Sequence, residues 1–258
     1  MIMLTDVPLA RFLGVSFAGL SIEGALEAVV QESQTEQFSF VVTPNVDHLV
    51  LLNEDETVPR VSQFRRAYGE ACLRLCDSRI LQLLAQIRGV ELDVVTGSDL
   101  TALLFESGTL NGATVVFVGG DESMGKALQV RFPSVTIRQH IPPMGVLNDP
   151  RAVDEIEDFV RASRAQFVLL AFGAPQSEIV AARLKTAGDI GGVGLCIGAS
   201  IEFLLGRKSR APEWMQRARL EWAFRLLSEP RRLWRRYLVI GPRIFVLALS
   251  KKARELSD

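Results

Sequence analysis

Up to about Gly206 the chain alternates short, continuous apolar runs with stretches of helical spacing. Phe38-Ser-Phe-Val-Val-Thr43 predicts a buried strand, broken by Thr43-Pro-Asn45, with a helix opening over Val46 to Leu52. Thr114 to Val118 predicts a second strand, closed by Gly119-Gly120 and followed by a helix over Glu122 to Val130. Val135 to Arg138 reads as a short strand. Asp154 to Ala165 places Ile156, Phe159 and Val160 on one helical face. Phe167 to Ala171 is a further strand ending at Gly173-Ala-Pro175, and Gly192 to Ile197 is the last, ending at Gly198. Strands that are apolar throughout and separated by helices imply a mostly parallel sheet covered on both faces, a Rossmann-like α/β architecture. In such sheets ligands bind beyond the carboxyl ends of the strands, which is where the Thr, Asn, Gly and Pro residues of this chain gather.

The pattern changes near Gly206. Residues 1–206 carry 15 Lys/Arg and 25 Asp/Glu, whereas Arg207 to Arg254 holds 14 Lys/Arg and three Glu, so a formal net charge of −1 conceals two halves of opposite sign. The basic half interleaves Trp214, Trp222, Phe224, Trp234 and Tyr237 with its arginines, and Pro212, Pro230 and Pro242 mark helix starts or breaks. This reading divides the chain into an α/β body over 1–206 and a helical, membrane-docking appendage over 207–258. Basic and aromatic residues on helices suit an anionic membrane surface. They also suit single-stranded nucleic acid, against which the acidic body argues. Exposed tail aromatics allow a homo-oligomer off the membrane. Tyr237 to Leu249, interrupted by Pro242 and Arg243, is too short to span a bilayer, and the N-terminal residues lack a signal-peptide pattern. Cys72, Cys76 and Cys196 form no disulfide framework and read as small, buried, reduced residues. Two histidines, His48 and His140, leave little material for a zinc site or a Ser-His-Asp triad.

Three places carry candidate chemistry, each with a plainer alternative. Gly119-Gly120 ahead of a helix lets backbone approach a phosphate, or simply makes a tight turn; it is neither a G-x-G-x-x-G fingerprint nor a Walker loop. Thr43 and Asn45 offer a hydroxyl and an amide to sugar hydroxyls, or Asn45 caps the helix that follows. Asp77, flanked by apolar residues, is a general base if partly buried, or an ion-pair partner of Arg74 or Arg79.

The ordered set of segments resembles the WecG/TagA/CpsF family, glycosyltransferase family twenty-six, from about Leu13 to Tyr237. The resemblance rests on Thr43-Pro-Asn45, Asp77, Val95-Thr-Gly-Ser-Asp-Leu100, Val116-Phe-Val-Gly-Gly120 and Pro142-Pro-Met-Gly145. It continues through Gly173-Ala-Pro175 with Glu178, Arg210-Ala-Pro212, Leu220-Glu-Trp222 with Arg225, and Glu229-Pro-Arg231 with Arg235. It implies an inverting transferase that needs no metal or other cofactor. Its donor would be a UDP-sugar, N-acetylmannosamine-like or another hexose, and its acceptor a polyprenyl-diphosphate-linked saccharide on the cytoplasmic face of the plasma membrane. By the same resemblance Asp77 is the base, and Thr43 and Asn45 lie in the sugar and acceptor pocket. Gly119, Gly120, Gly173, Pro175 and Glu178 lie on the nucleotide side, and Arg210, Arg225, Arg232 and Arg235 grip the lipid diphosphate. The chain departs from the family pattern at Ser78, where a Gly is usual, at Val94, where an Arg is usual, and at Ser177, where a Gln is usual. The alternative these departures support is a non-catalytic relative that binds nucleotide sugar or lipid-linked intermediate.

Overall fold

A computed structural model describes residues 4–250 apart from 213, 216, 217 and 219. The chain opens with a hairpin of β1 (Leu9–Phe12) and β2 (Val15–Ala18), then runs through α1 (Ile22–Glu32), β3 (Ser39–Val42), α2 (Val46–Leu52), α3 (Pro59–Glu70) and β4 (Leu73–Arg74). There follow α4 (Arg79–Ile87), α5 (Gly97–Glu106), β5 (Thr114–Gly119), α6 (Glu122–Arg131), β6 (Thr136–His140), α7 (Pro150–Ser163), β7 (Phe167–Ala171), α8 (Gln176–Ala187), β8 (Val193–Cys196) and α9 (Ser200–Leu204).

The six strands β4-β3-β8-β7-β5-β6 form one sheet in that order, every neighbouring pair parallel. The central strands β3 and β8 are buried throughout, and β5 and β7 at all but one end residue, because helices cover both faces. Their side chains alternate between two cores. Val116, Val118, Val168 and Leu170 meet α2, α3, α4, α7 and α8; Val115, Phe117, Phe167 and Leu169 meet α1, α5, α6 and α9. The expected strands and helices are present, with ends shifted by a few residues.

This wiring creates two crevices at the carboxyl edge. The chain leaves β5 for the α6 face and β7 for the α8 face, so the ends of these adjacent strands part. Likewise β3 leads to α2 on one face and β8 to α9 on the other. At the first crevice a Cβ on Gly119 would stand 3.2 Å from Ala171 O, and Gly119 has φ +110. A side chain would be strained at this φ, so glycine suits the end of β5.

Beyond Gly206 the chain continues through α10 (Glu221–Ser228), α11 (Pro230–Trp234), a π-helical turn over Arg235–Ile240, and α12 (Arg243–Leu249). Of the basic tail, Arg217, Arg219, Lys251, Lys252 and Arg254 lie outside the described residues. Ile244 and Ala248 of α12 are buried in the same core as α2 and α4, and Arg88 donates to Ala248 O at 3.1 Å. The appendage is therefore pinned at its far end and arches over the carboxyl edge of β3 and β4. Among the described residues no helix is long and apolar enough to cross a membrane.

Truncating Ile244 to Ala should release α12 more readily than it unfolds the body. Trypsin cleavage within 207–250 is expected to accelerate, while the body loses less than the roughly 2–5 kcal/mol that a central-core truncation such as Leu81→Ala costs. Equal losses at both positions in urea unfolding would show that the appendage and body melt as one unit.

Candidate active site

Asp77 is placed by backbone bonds that extend the sheet past β4. Leu75 N donates to Val42 O at 3.0 Å, Asp77 N to Pro44 O at 2.9 Å, and Val95 N to Cys76 O at 3.0 Å. The next residue, Ser78, starts α4 by accepting Leu81 N on its hydroxyl at 3.2 Å. Serine caps a helix well, which gives this departure from the family's glycine a local structural reason. The carboxyl group thus stands at a strand end, held on both flanks.

It faces a cleft of about 940 Å³, open mouth included, whose walls come from the body and from the appendage. Asn45, Asp47, Arg79, Thr96 and Asp99 line the body side; Arg210, Glu221, Trp222, Arg225, Arg236 and Tyr237 line the other. Thr96 caps α5, accepting Asp99 N at 3.0 Å and donating to Asp99 Oδ2 at 2.7 Å, and Asp99 in turn pairs with Arg210. Arg225 pairs with Glu221 at 2.7 Å and lies 5.2 Å from the Phe203 ring centroid. Arg236, on the π-helical turn, pairs with Asp47 at the start of α2.

Burial pushes the Asp77 carboxyl up to about 7. Arg225 and Arg236 pull it down, while Glu221 and Asp99 push it up. Neither sequence-adjacent arginine is the partner the plainer alternative required. Arg74 turns back onto Tyr68 O and Gly69 O at 2.7 and 2.8 Å, and the cations that Asp77 feels come from the appendage. A carboxyl group poised near neutrality and open to a cleft is suited to taking a proton from a hydroxyl.

The other sequence-chosen residues scatter more. Asn45 lines the cleft and is also the cap of α2, accepting Asp47 N at 3.1 Å and His48 N at 3.4 Å, so both of its readings apply. Thr43 is buried behind the cleft, its hydroxyl 3.4 Å from Cys196 O, and is not part of the lining. Gly119, Gly120 and Gly173 all have positive φ and stand at the crevice between β5 and β7. The start of α6 beside them already holds an anion of the protein's own. Asp121 accepts Ser123 N and Met124 N at 2.9 and 3.1 Å and pairs with Arg207 at 2.8 Å. Pro175 precedes α8. Glu178, in its first turn, is only 2% exposed; burial pushes it up to about 7, and its Oε2 has no hydrogen-bond partner. Its charge acts on Tyr68 and Cys196, which places it in the core behind the sheet edge.

Of the four tail arginines chosen from sequence, Arg210 and Arg225 line the cleft, whereas Arg232 pairs with Glu229 at 2.5 Å and neither it nor Arg235 belongs to the lining. Arg236 takes the inward position. Asp47, Asp99, Glu221 and Arg79 are cleft residues that sequence reasoning did not select. Asp99 lies within a quoted segment and follows Thr96 at capping spacing, a signal that was available.

The sequence model of the family described as "Glycosyl transferase WecG/TagA/CpsF family" matches residues 10–258, nearly the whole chain. The chain belongs to this family. It is a glycosyltransferase, and the cleft built around Asp77 is its candidate active site.

Two carboxyl groups of this glycosyltransferase, Asp77 and Glu178, have folded-state pKa values raised above their unfolded ones. The folded state then binds more protons than the unfolded state between about pH 4 and 7, so these groups lower stability as pH rises through that window. Asp77→Asn should raise unfolding free energy at about pH 8.5, by about 2 kcal/mol after discounting for its open side. The gain should vanish as pH falls toward about 4. A loss of stability at the higher pH would contradict the assignment of Asp77 as a buried carboxyl whose burial outweighs its compensation by Arg225 and Arg236.

Proposed function

We propose that this glycosyltransferase moves a sugar, N-acetylmannosamine-like or another hexose, from a UDP-sugar to a polyprenyl-diphosphate-linked saccharide. It does so with inversion, at the cytoplasmic face of the plasma membrane, in cell-surface polysaccharide synthesis. The observation that carries this reading is the composite cleft. A desolvated carboxyl group from the body faces arginines from an appendage whose outer surface is apolar and basic.

In the reaction the acceptor hydroxyl oxygen bonds to the anomeric carbon as the bond from that carbon to the UDP oxygen breaks. The hydroxyl proton passes to Asp77, and UDP leaves with the bonding electrons. Arginines stabilise diphosphate charge by planar, two-point hydrogen bonding. The donor and acceptor each bring a diphosphate, and the cleft carries cations on both walls.

The membrane half of the reading rests on the appendage surface. Leu227, Trp234, Leu238, Val239, Phe245 and Val246 are exposed on consecutive elements, Leu227 at 79% and Val246 at 70%. Arg231, Arg232 and Arg235 lie among them. Apolar side chains ringed by arginine fit the boundary between headgroups and acyl chains.

The test is UDP release with detergent-solubilised polyprenyl-diphosphate-GlcNAc and a panel of UDP-sugars. Asp77→Asn should lose about a hundredfold or more in turnover while still binding UDP. UDP binding without turnover for any donor would favour a non-catalytic relative. In sedimentation with anionic liposomes, a variant with Leu227, Leu238 and Val246 changed to Ser should pellet far less than wild type. Undiminished pelleting would move the membrane contact elsewhere.

A further inference from the structure

The charges of the cleft can be followed residue by residue. Four carboxylates line it, Asp47, Asp77, Asp99 and Glu221, and four arginines, Arg79, Arg210, Arg225 and Arg236. Three arginines are already matched: Arg210 with Asp99, Arg225 with Glu221 and Arg236 with Asp47. All three belong to the appendage, and the charges of Arg225 and Arg236 also reach Asp77. Arg79 is the one cation that the body contributes to the described lining, and it has no carboxylate partner among the described residues.

Arg79 is exposed at the cleft, and its position offers no local compensation for the charge. Arg79 is the first residue of α4, a nine-residue helix with no acidic residue in its first turn. A cation there opposes the helix dipole, which favours negative charge at the N-terminus. Helix stability therefore gains nothing from an arginine here. A local rule broken without a compensating contact, inside a cleft, points to a charge supplied by the ligand.

We propose that Arg79 is the donor-side anion anchor, its guanidinium binding the diphosphate of the nucleotide sugar. The inference rests on the reaction proposed above and adds a residue to it. The assignment to the donor follows from the two walls. A lipid-linked acceptor brings its diphosphate from the appendage side, where the apolar surface lies and where Arg225 and Arg236 stand. A water-soluble nucleotide sugar needs a cation on the body, and Arg79 supplies it.

The experiment is calorimetric titration of the full-length wild type, Arg79→Gln and Arg79→Lys with UDP and with uridine, alongside thermal unfolding of each. Arg79→Gln should weaken UDP binding about tenfold or more and leave uridine binding unchanged, so that the preference for UDP over uridine collapses. Arg79→Lys should restore part of it, and the unfolding midpoint of Arg79→Gln should equal or exceed that of wild type. In turnover, KM for the UDP-sugar should rise while KM for the lipid acceptor holds. Unchanged UDP affinity in Arg79→Gln would overturn the proposal and leave the proposed reaction standing. Equal loss of UDP and uridine, a fall in the unfolding midpoint, or a rise confined to the acceptor KM would also overturn it. A wild type that binds no UDP would remove the nucleotide-sugar reading itself.

Discussion

Taking a carboxyl group out of water penalises its charged form, and the organisation of this molecule around Asp77 follows from that penalty. The parallel sheet holds the aspartate at a strand end through bonds to Pro44 O on one side and from Val95 N on the other. The appendage then covers it, bringing Trp222 and Tyr237 to exclude water and Arg225 and Arg236 to moderate the loss of solvation. With these contributions the group comes to rest near neutral pH. In the proposed reaction, body and appendage together make the base.

The same cover explains why the cleft is laced with ion pairs. Arginines suited to a diphosphate would be poorly solvated in a half-closed cleft, and each one from the appendage rests on a carboxylate: Asp47, Asp99 or Glu221. On the proposed reaction, a substrate diphosphate would exchange with those carboxylates. Pairs at a cleft wall are individually weak, so such exchange is accessible. Burial of Ile244 and Ala248 anchors the far end of the arch in the body.

Much of the fold was legible because strands buried on both faces must be apolar throughout, as Val115 to Val118 and Phe167 to Leu170 are. The amino-terminal hairpin was not, since its two-residue turn is Leu13-Gly14. Leu13 has φ +50, a conformation in which leucine gives no turn signal. Asp77 was legible as a carboxyl among apolar residues and Asn45 as a cap. Glu178 and Thr43 lie in the core, because a residue at a strand or helix end can point there as readily as into the crevice. The tail arginines expose another limit. The resemblance singled out Arg235, whereas Arg236, in the π-helical turn over Arg235–Ile240, is the one that lines the cleft.

The most direct test of the claim that Asp77 is a base tuned by its cover is the pH dependence of kcat/KM in wild type and Arg225→Gln. Wild type should show activity rising with pH through an acid limb near 7. Losing Arg225 removes a cation that pulls Asp77 down and leaves Glu221 unpaired beside it, so the limb should move to higher pH. A limb near the ordinary carboxylate range in wild type, or one that stays fixed or moves downward in Arg225→Gln, would contradict the account.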